Sequence, residues 1–476
     1  MRRPYGARKL SMREQYNLIS KIVSLCKRRG FIFQSSEIYG GFEGCYDFGP
    51  LGVELKNNIK KVWWDEMTKN HENIVGLDAA ILMNPKVWQA SGHLTAGFAD
   101  VLVECKKCHH RFKEDSEFLK QSHNKCPDCG GELTKPRKFN LMVKTFIGPV
   151  EDEAAVTYLR AETCQGIYMN YENVLNSMRL KLPFGICQIG KAFRNEINPK
   201  NFVFRTREFE QMEMQWFCNP KDADRFFNYW KEERIKWYLN LGIKKENLRT
   251  IEVPEEERAH YARRQVDIEY HFPFGWQEIE GVHNRGDWDL SNHSKNSGKD
   301  LNYFDPSASS GQAKEKYFPH IIETSIGVER SLFAFLCDAY QEIKGGRTET
   351  TEATKEVEIM LNIHKSLAPV KIAILPLVKN KEEIVKKARE VYQMLKSHFM
   401  VQYDEVGSIG RRYRRGDEIG IAVAITCDFQ TLEDNTVTLR DRDSMRQIRV
   451  EILKLQEIIQ KILKREEFLK LGKPIK

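Results

Sequence analysis

The sequence predicts an α+β protein: a large N-terminal body on an antiparallel sheet with inserted and flanking helices, then a smaller C-terminal α/β unit with a mixed sheet. Three observations predict it. Between Phe184 and Cys218, strand-like apolar stretches flank the polar segment Asn195 to Thr206. The run Ile321 to Phe335 begins extended and turns helical after Gly327. Beyond residue 360, apolar strands alternate with amphipathic helices.

In chain order, Leu51, Leu55, Ile59 and Val62 recur at helical spacing, and the apolar run Ala79 to Met83, ending at Pro85, is expected as the strand that this helix leads into. An insertion is expected at about 100–140 and a helical one at about 219–265. The stretch Gly345 to Glu358 is rich in threonine and glutamate and almost free of core formers, which marks a linker. The body is therefore assigned to 1–360 and the second unit to 361–476. In that unit the strand Lys371 to Leu377 precedes a helix with Ile384, Ala388, Val391 and Leu395 on one face. Strands follow at Val401 to Asp404, Ile419 to Cys427 and Thr436 to Arg440, and a closing helix carries Leu455, Ile459 and Ile462.

Composition narrows the function classes. A chain of 476 residues needs more than one hydrophobic core and no disulfides. With 41% apolar and 30% charged residues and no run long enough to span a bilayer, it reads as soluble, and a membrane span is set aside. Met1 to Leu10 is basic but leads into the mixed polar stretch Ser11 to Ser20, so no secretion signal is expected and the mature chain should begin near Met1. The net charge of +8 permits a polyanionic partner without demanding one. Eleven cysteines, an odd number, suit a reducing compartment, and the cytoplasm is expected.

Four of those cysteines, Cys105, Cys108, Cys126 and Cys129, form two CxxC pairs seventeen residues apart. Each two-residue gap lets both sulfurs of a knuckle face one ion, and four thiolates satisfy tetrahedral zinc. Such a closed site is structural: it folds a segment that has little core of its own.

The charged residues of Phe193 to Phe209 sit on what read as two adjacent strands and a loop. Any one of them alone reads as part of an exposed ion-pair ladder, but together they can clamp a nucleotide. Arg194 can reach an α-phosphate bidentately, and Glu196 can accept from the exocyclic amine of adenine. Arg205 can hold the outer phosphates while Phe209 stacks on the base. Far along the chain, Gly327 admits close backbone approach, and Arg330 in the following helical turn can cover the other face of adenine and touch the γ-phosphate.

These elements resemble motifs 2 and 3 of class II aminoacyl-tRNA synthetases, and the helix and strand before Pro85 resemble motif 1, the dimerisation element of that class. More closely, the chain resembles the dimeric, single-chain glycyl-tRNA synthetases along nearly its whole length. The blocks that carry this are IYGGFEGCYDFGPLGVELK from Ile38, ASGH from Ala90, AETCQGI from Ala161, GKAFRNEINPKNFVFRTREFEQME from Gly190, FGWQEI from Phe274 and RRYRRGDE from Arg411.

The resemblance implies a class II catalytic core with a C-terminal anticodon-binding domain, and an enzyme that activates glycine with ATP and transfers it to tRNA(Gly) as a homodimer. It implies catalytic roles for Arg194, Glu196 and Arg330. ATP would lie along Arg194, Asn195, Glu196, Phe204, Arg205, Thr206, Arg207, Glu208 and Phe209, with Glu278, Ile279, Gly327, Val328, Glu329 and Arg330. Glycine would lie among Glu162, Phe209, Glu210, Gln211, Met212, Glu213, Glu323, Thr324, Ser325, Ile326 and Gly327, and Glu278 would coordinate magnesium. One departure is Arg111 to Asp115, where relatives often read RYRAD: Lys113 is a point charge that cannot reproduce an arginine fork. In the C-terminal unit, a basic loop of Arg411, Arg412, Tyr413, Arg414 and Arg415 would contact tRNA through phosphates and base stacking. Prolyl-, threonyl- and histidyl-tRNA synthetases share this class; the acidic set Glu162, Glu213 and Glu323 favours glycine over them. A non-catalytic synthetase-like protein, such as a nucleic-acid-binding polymerase accessory subunit, need not keep the ATP-binding charges that stand here.

Overall fold

A computed structural model describes residues 12–475 apart from 95–97, 115–118, 120–121, 123–124, 305–315 and 348–356. Its main sheet has seven strands: β1 (Ile74–Gly76), β2 (Phe184–Phe193), β3 (Glu208–Cys218), β4 (Leu248–Glu252), β5 (Arg264–Phe272), β6 (Gly275–Gly286) and β7 (His320–Gly327). They lie in the order β4-β5-β6-β7-β3-β2-β1, antiparallel except for β1 beside β2. Side chains alternate across the sheet. On β3, Met212, Met214 and Trp216 enter the apolar core, whereas Phe209, Gln211 and Glu213 line a cavity on the other face.

Helices α1 (Met12–Arg29), α2 (Pro50–Lys69), α3 (Ala223–Asn240) and α4 (Val328–Ala339) surround this core. α2 starts with Pro50, whose missing N–H costs nothing in a first turn, and buries Leu55, Ile59, Trp63 and Met67 at three- and four-residue spacing. α4 leaves β7 directly at Gly327 and packs on α2.

Two expectations are corrected here. The strand lies at Ile74–Gly76, not at Ala79 to Met83: the Ala79 N–H donates to Gln188 Oε1 (3.3 Å) and its carbonyl accepts from Arg160 Nη1 (2.7 Å), so side chains satisfy backbone groups that a neighbouring strand would otherwise pair. The segment 219–265 is not only helical. After α3, which lays Phe227, Trp230 and Trp237 into the core on β6 and β7, it contributes the edge strand β4. That strand is mostly exposed, so no apolar alternation announces it.

The expected insertion holds a three-stranded sheet of Ala99–Glu104, Arg111–Lys113 and Arg137–Asn140. Of the expected linker, residues 348–356 lie outside the described residues; on either side, Tyr340–Lys344 and Val357–Leu361 pair antiparallel. The C-terminal mixed sheet comprises β8 (Ile372–Pro376), β9 (Val401–Tyr403), β10 (Val423–Cys427), β11 (Thr436–Asp441), β12 (Gln447–Glu451) and β13 (Lys473–Ile475), ordered β9-β8-β10-β11-β12-β13. The first three are parallel and the rest antiparallel. Helix α5 (Glu382–Lys396) buries the four expected residues, and α7 (Leu455–Leu463) buries Leu455, Ile459 and Ile462 but is not the last element, since β13 follows it and pairs with β12. The basic run lies not on a loop but on helix α6 (Ile409–Glu418): Arg412 Nη2 donates to Leu377 O at 3.1 Å, and burying that guanidinium against the end of β8 fixes the segment as one face of a helix.

Candidate active site

Strand register assembles the acidic end of the cavity. β3 pairs with β7 so that Glu213 faces Ser325 and Gln215 faces Glu323, and β6 pairs with β7 so that His283 faces Glu323. Each cross-strand neighbour becomes a contact. Ser325 Oγ donates to Glu213 Oε1 at 2.7 Å, Gln215 Nε2 donates to Glu323 Oε2 at 2.8 Å, and His283 Nδ1 lies 3.0 Å from Glu323 Oε1. The third carboxylate, Glu162, comes from the turn before the short helix Cys164–Met169. It accepts from Gln165 Nε2 (2.9 Å) and Cys164 Sγ (3.0 Å) and lies 3.4 Å from His93 Nε2.

The three carboxylates are all buried but differ in charge state. Burial and the charges of Glu323 and Glu162 push Glu213 up to about 7. Burial also opposes ionisation of Glu323, but Arg285, 3.1 Å away, and His283 outweigh it and hold Glu323 down to about 2. For Glu162 the opposing burial is outweighed by His93, and its carboxyl lies well below the usual range. Arg285 is anchored by Asp289 at 2.7 and 2.8 Å and stacks 3.6 Å from the Tyr261 ring. Carboxylate oxygens of Glu213 and Glu323 and Cys164 Sγ all lie within 4.8 Å of one another, so these side chains converge at the acidic end.

The basic end is built from β2, β3, the loop between them and α4. Arg194 Nε donates to Ala161 O at 3.1 Å, which aims the guanidinium between the rings of Phe98 and Phe209, 5.7 and 5.4 Å away. Arg330 Nη1 bonds Glu278 Oε2 at 3.1 Å, and its guanidinium lies 4.7 Å over the Phe204 ring. Glu196 is buried, and its Oε2 has no hydrogen-bond partner among the described residues, with Arg205 at 3.8 Å. Arg194 and Arg330 line one cavity with Glu196, Arg205, Thr206 and Ile279, and that cavity continues to Glu162, Glu213 and Glu323.

Eight expected residues do not line it. Glu208, Glu210 and Met212 on β3, and Thr324 and Ile326 on β7, fall on the opposite side of the sheet because alternate residues must. Val328 is in the core. Asn195 is exposed and bonds Leu141 O through its backbone, while Arg207 turns back to Glu196 O and Glu43 O. Glu329 touches the cavity wall, but its carboxylate bonds Lys56 (2.6 Å) and the Glu210 N–H (2.9 Å). Conversely, Tyr261, His283 and Arg285 enter the site unannounced. His283 meets Glu323 through the pairing of β6 with β7, and Arg285 reaches Glu323 from the irregularity between Asn284 and Gly286, so neither contact is visible along the chain.

The four cysteine sulfurs also converge within 4.8 Å, with Cys105 to Cys129 and Cys108 to Cys126 both 3.5 Å apart. Tetrahedral zinc with bonds of about 2.3 Å asks for sulfurs roughly 3.8 Å apart, so the set fits. The backbone N–H groups of Cys108 and Lys107 point at Cys105 Sγ (3.4 and 3.3 Å) and help hold that thiol down to about 6, favouring the thiolate a metal takes. Nearby Lys113 pairs with Asp100 at 2.6 Å; Asp115 lies outside the described residues.

On α6, Arg411 is exposed, whereas Tyr413 is held by Thr426 Oγ1 (2.7 Å) beneath Arg440, and Arg415 pairs with Asp404 (2.6 Å). Arg414 is partly buried and has partners of its own.

Residues 148–339 match the family model described as tRNA synthetase class II core domain (G, H, P, S and T), and residues 371–462 match the Anticodon binding domain. Fold and domain pairing are thus those of a class II aminoacyl-tRNA synthetase. The glycine–tRNA ligase of Treponema denticola is 53% identical over 433 residues, covering 91% of this chain and 94% of that protein. The glycine–tRNA ligase of Clostridium acetobutylicum is 50% identical over 474 residues, covering 94% and 99%. The chain belongs to the glycine–tRNA ligase family. A prolyl-tRNA synthetase from Cryptosporidium parvum, solved with halofuginone and AMPPNP, shares the fold with a TM-score of 0.61 at 18% identity, covering 93% of this chain and 77% of that one.

Proposed function

We propose that the cavity joins glycine to ATP, forming glycyl-adenylate and pyrophosphate, and then passes the glycyl group to the acceptor end of tRNA(Gly). The observation that carries this is the convergence of Glu162, Glu213 and Glu323 at one end of a cavity whose other end is lined by guanidinium groups. Three carboxylates recognise an ammonium, and the lack of room for a side chain selects glycine. An alanine methyl would press on Glu213, Glu323 or Ser325 and leave their polar atoms unpaired.

A glycine carboxylate oxygen attacks the α-phosphorus in line, and the bond to the bridging oxygen of pyrophosphate breaks. No protein nucleophile is needed. Arg194 holds the α-phosphate and the glycine carboxylate together, so the chain supplies positioning and compensates charge that grows in the transition state. Glu196 Oε2, which has no hydrogen-bond partner among the described residues, accepts from the adenine amine. Phe209 stacks on the base, and Arg205 and Arg330 take the outer phosphates.

Magnesium fits at Glu278, whose half-exposed carboxylate is an oxygen donor of the kind that ion takes. Burial and the Glu278 charge also hold the Asp267 carboxyl above its ordinary value, a repulsion that a divalent cation there would relieve. When bound, the ion neutralises phosphate charge. Cys105, Cys108, Cys126 and Cys129 hold one structural zinc. Arg411 on the anticodon-binding domain meets tRNA phosphate, with Arg414 beside it. The proposal also takes α2, with the exposed Ile38, Tyr39 and Phe42, as the surface of a homodimer. It assigns the chain to the cytoplasm, where cysteines outside the zinc site stay reduced. No described helix is long and apolar enough to cross a membrane.

Exchange of labelled pyrophosphate into ATP tests the reading. Glycine should support exchange, and Arg194→Ala should abolish it. Exchange with no amino acid overturns the activation step, and exchange with proline but not glycine overturns the pocket assignment.

A further inference from the structure

Each of the three pocket carboxylates accepts from a glutamine, and the glutamines on Glu162 and Glu323 are each held in turn by one further side chain. Gln165 donates its Nε2 to Glu162 Oε1 at 2.9 Å, and its Oε1 lies 2.8 Å from His293 Nε2. Gln215 donates its Nε2 to Glu323 Oε2 at 2.8 Å, and its Oε1 accepts from Tyr168 Oη at 2.8 Å. All four of these side chains are buried.

A primary amide has a donor end and an acceptor end of nearly equal size, so packing alone does not decide which end meets the carboxylate. The wrong choice sets two oxygens against each other. A fixed donor at the far end decides it, since an amide oxygen can only accept. His293 Nε2 must therefore carry the proton, and Tyr168 Oη must donate. Burial holds His293 down to about 4, which keeps it neutral, and holds the Tyr168 phenol protonated.

Local structure places the donors together. Gln165 and Tyr168, three residues apart, share one face of helix Cys164–Met169. That helix packs on β3, which carries Gln215, and on helix Trp288–Ser297, which carries His293. The rings of Tyr168 and His293 lie 6.4 Å apart between centroids. Both line a largely apolar cavity that shares no lining residue with the substrate cavity, so neither belongs to the wall that substrate meets.

We propose that His293 and Tyr168 are positioning residues for glycine recognition, each locking the amide orientation of one glutamine so that Glu162 and Glu323 present their oxygens to the ammonium. The proposal rests on assigning those carboxylates to glycine. Each relay deletes cleanly: His293→Phe and Tyr168→Phe keep a ring and remove one donor.

Pyrophosphate exchange would be measured for these variants, for Gln165→Met and Gln215→Met, and for the doubles His293→Phe/Gln165→Met and Tyr168→Phe/Gln215→Met. Each single donor variant should raise the KM for glycine by about ten- to a hundredfold, the worth of a hydrogen bond to a charged group, and leave the KM for ATP unchanged. Each double should match its glutamine single, because a donor acting only through the amide has nothing left to hold. Additive effects, or equal rises for glycine and ATP, would overturn the proposal and leave two ordinary core residues. If His293→Phe does not fold, the Tyr168 cycle decides alone, since it removes a single oxygen. Glu162→Gln and Glu323→Gln separate the two assumptions: if they leave the KM for glycine unchanged, the pocket assignment itself fails. If they raise it while the donor variants do not, only the relay fails.

Discussion

Glycine binding should be coupled to loss of a proton from Glu213. Burial and the neighbouring Glu323 and Glu162 charges lift this carboxyl from 4.5 to about 7, a gap corresponding to about 3 kcal/mol. The empty pocket therefore leaves Glu213 about half protonated at neutrality, whereas an incoming ammonium prefers it ionised. Glycine keeps its ammonium throughout this range, so the protein supplies the titration. With a group titrating near 7, the ionised fraction is about nine-tenths at pH 8 and about one-tenth at pH 6, and apparent affinity scales with that fraction. The KM for glycine should rise roughly tenfold from pH 8 to pH 6 while the KM for ATP changes little. Calorimetry near pH 6.5 in buffers of different ionisation enthalpy should register proton release on glycine binding in the wild type and none in Glu213→Gln. In the unliganded enzyme the raised value favours folding fully below about 4.5, and that contribution is lost as pH rises through about 7. A flat KM for glycine across this interval, or an equal slope in Glu213→Gln, would refute the reasoning.

Freshly purified protein should contain one zinc per chain by elemental analysis, and Cys126→Ser should lose it together with the fold of 100–140; metal-free wild type of full activity would remove the zinc assignment. Lys56→Met leaves Glu329 without its buried cation and should cost about 3–5 kcal/mol in denaturant unfolding, against a negligible change if the pair is dispensable. Arg411→Glu should raise the KM for tRNA and steepen no other parameter; an equal loss of pyrophosphate exchange would argue against a role confined to tRNA.

The strands that carry the site are legible in sequence because β2, β3 and β7 are long, apolar on the buried face and interrupted by charges, and because Gly327 marks the turn from β7 into α4. The cysteine spacing is legible for a similar reason: its geometry is local. Facing is less so. A contiguous motif such as Glu208 to Glu213 reads as one functional run, yet the two-residue period sends Glu208, Glu210 and Met212 away from the cavity, and only the sheet decides which half stays. The residues that set charge state are least legible. Arg285, His283 and Tyr261 come from β6 and the segment before β5, and their relation to Glu323 exists only through register and stacking. The basic run on α6 misleads for another reason: a guanidinium that caps carbonyls inside the domain reads, residue by residue, like one that awaits a phosphate.

Charge bookkeeping across the pocket accounts for how the site selects so plain a ligand. Glu323 is balanced by Arg285 within the protein, and Glu162 by His93 with two neutral donors, so both stay ionised before substrate arrives. Glu213 has Thr163, Ser325 and Gln211 as donors but, among the described residues, no cation in hydrogen-bonding contact. On the proposed assignment, its missing positive charge is the one the ligand would bring. In the proposed reading a larger amino acid carries the same ammonium but would be kept from the required distance by its Cβ meeting the carboxylates. It then forfeits the interaction that would have stabilised ionised Glu213, so shape and charge discriminate together. Widening the pocket should therefore admit alanine only where Glu213 is still approached closely enough to ionise. Ser325→Gly, which removes a hydroxyl from Glu213 as it makes room, should weaken glycine binding more than it improves alanine binding, as paired exchange assays would read directly.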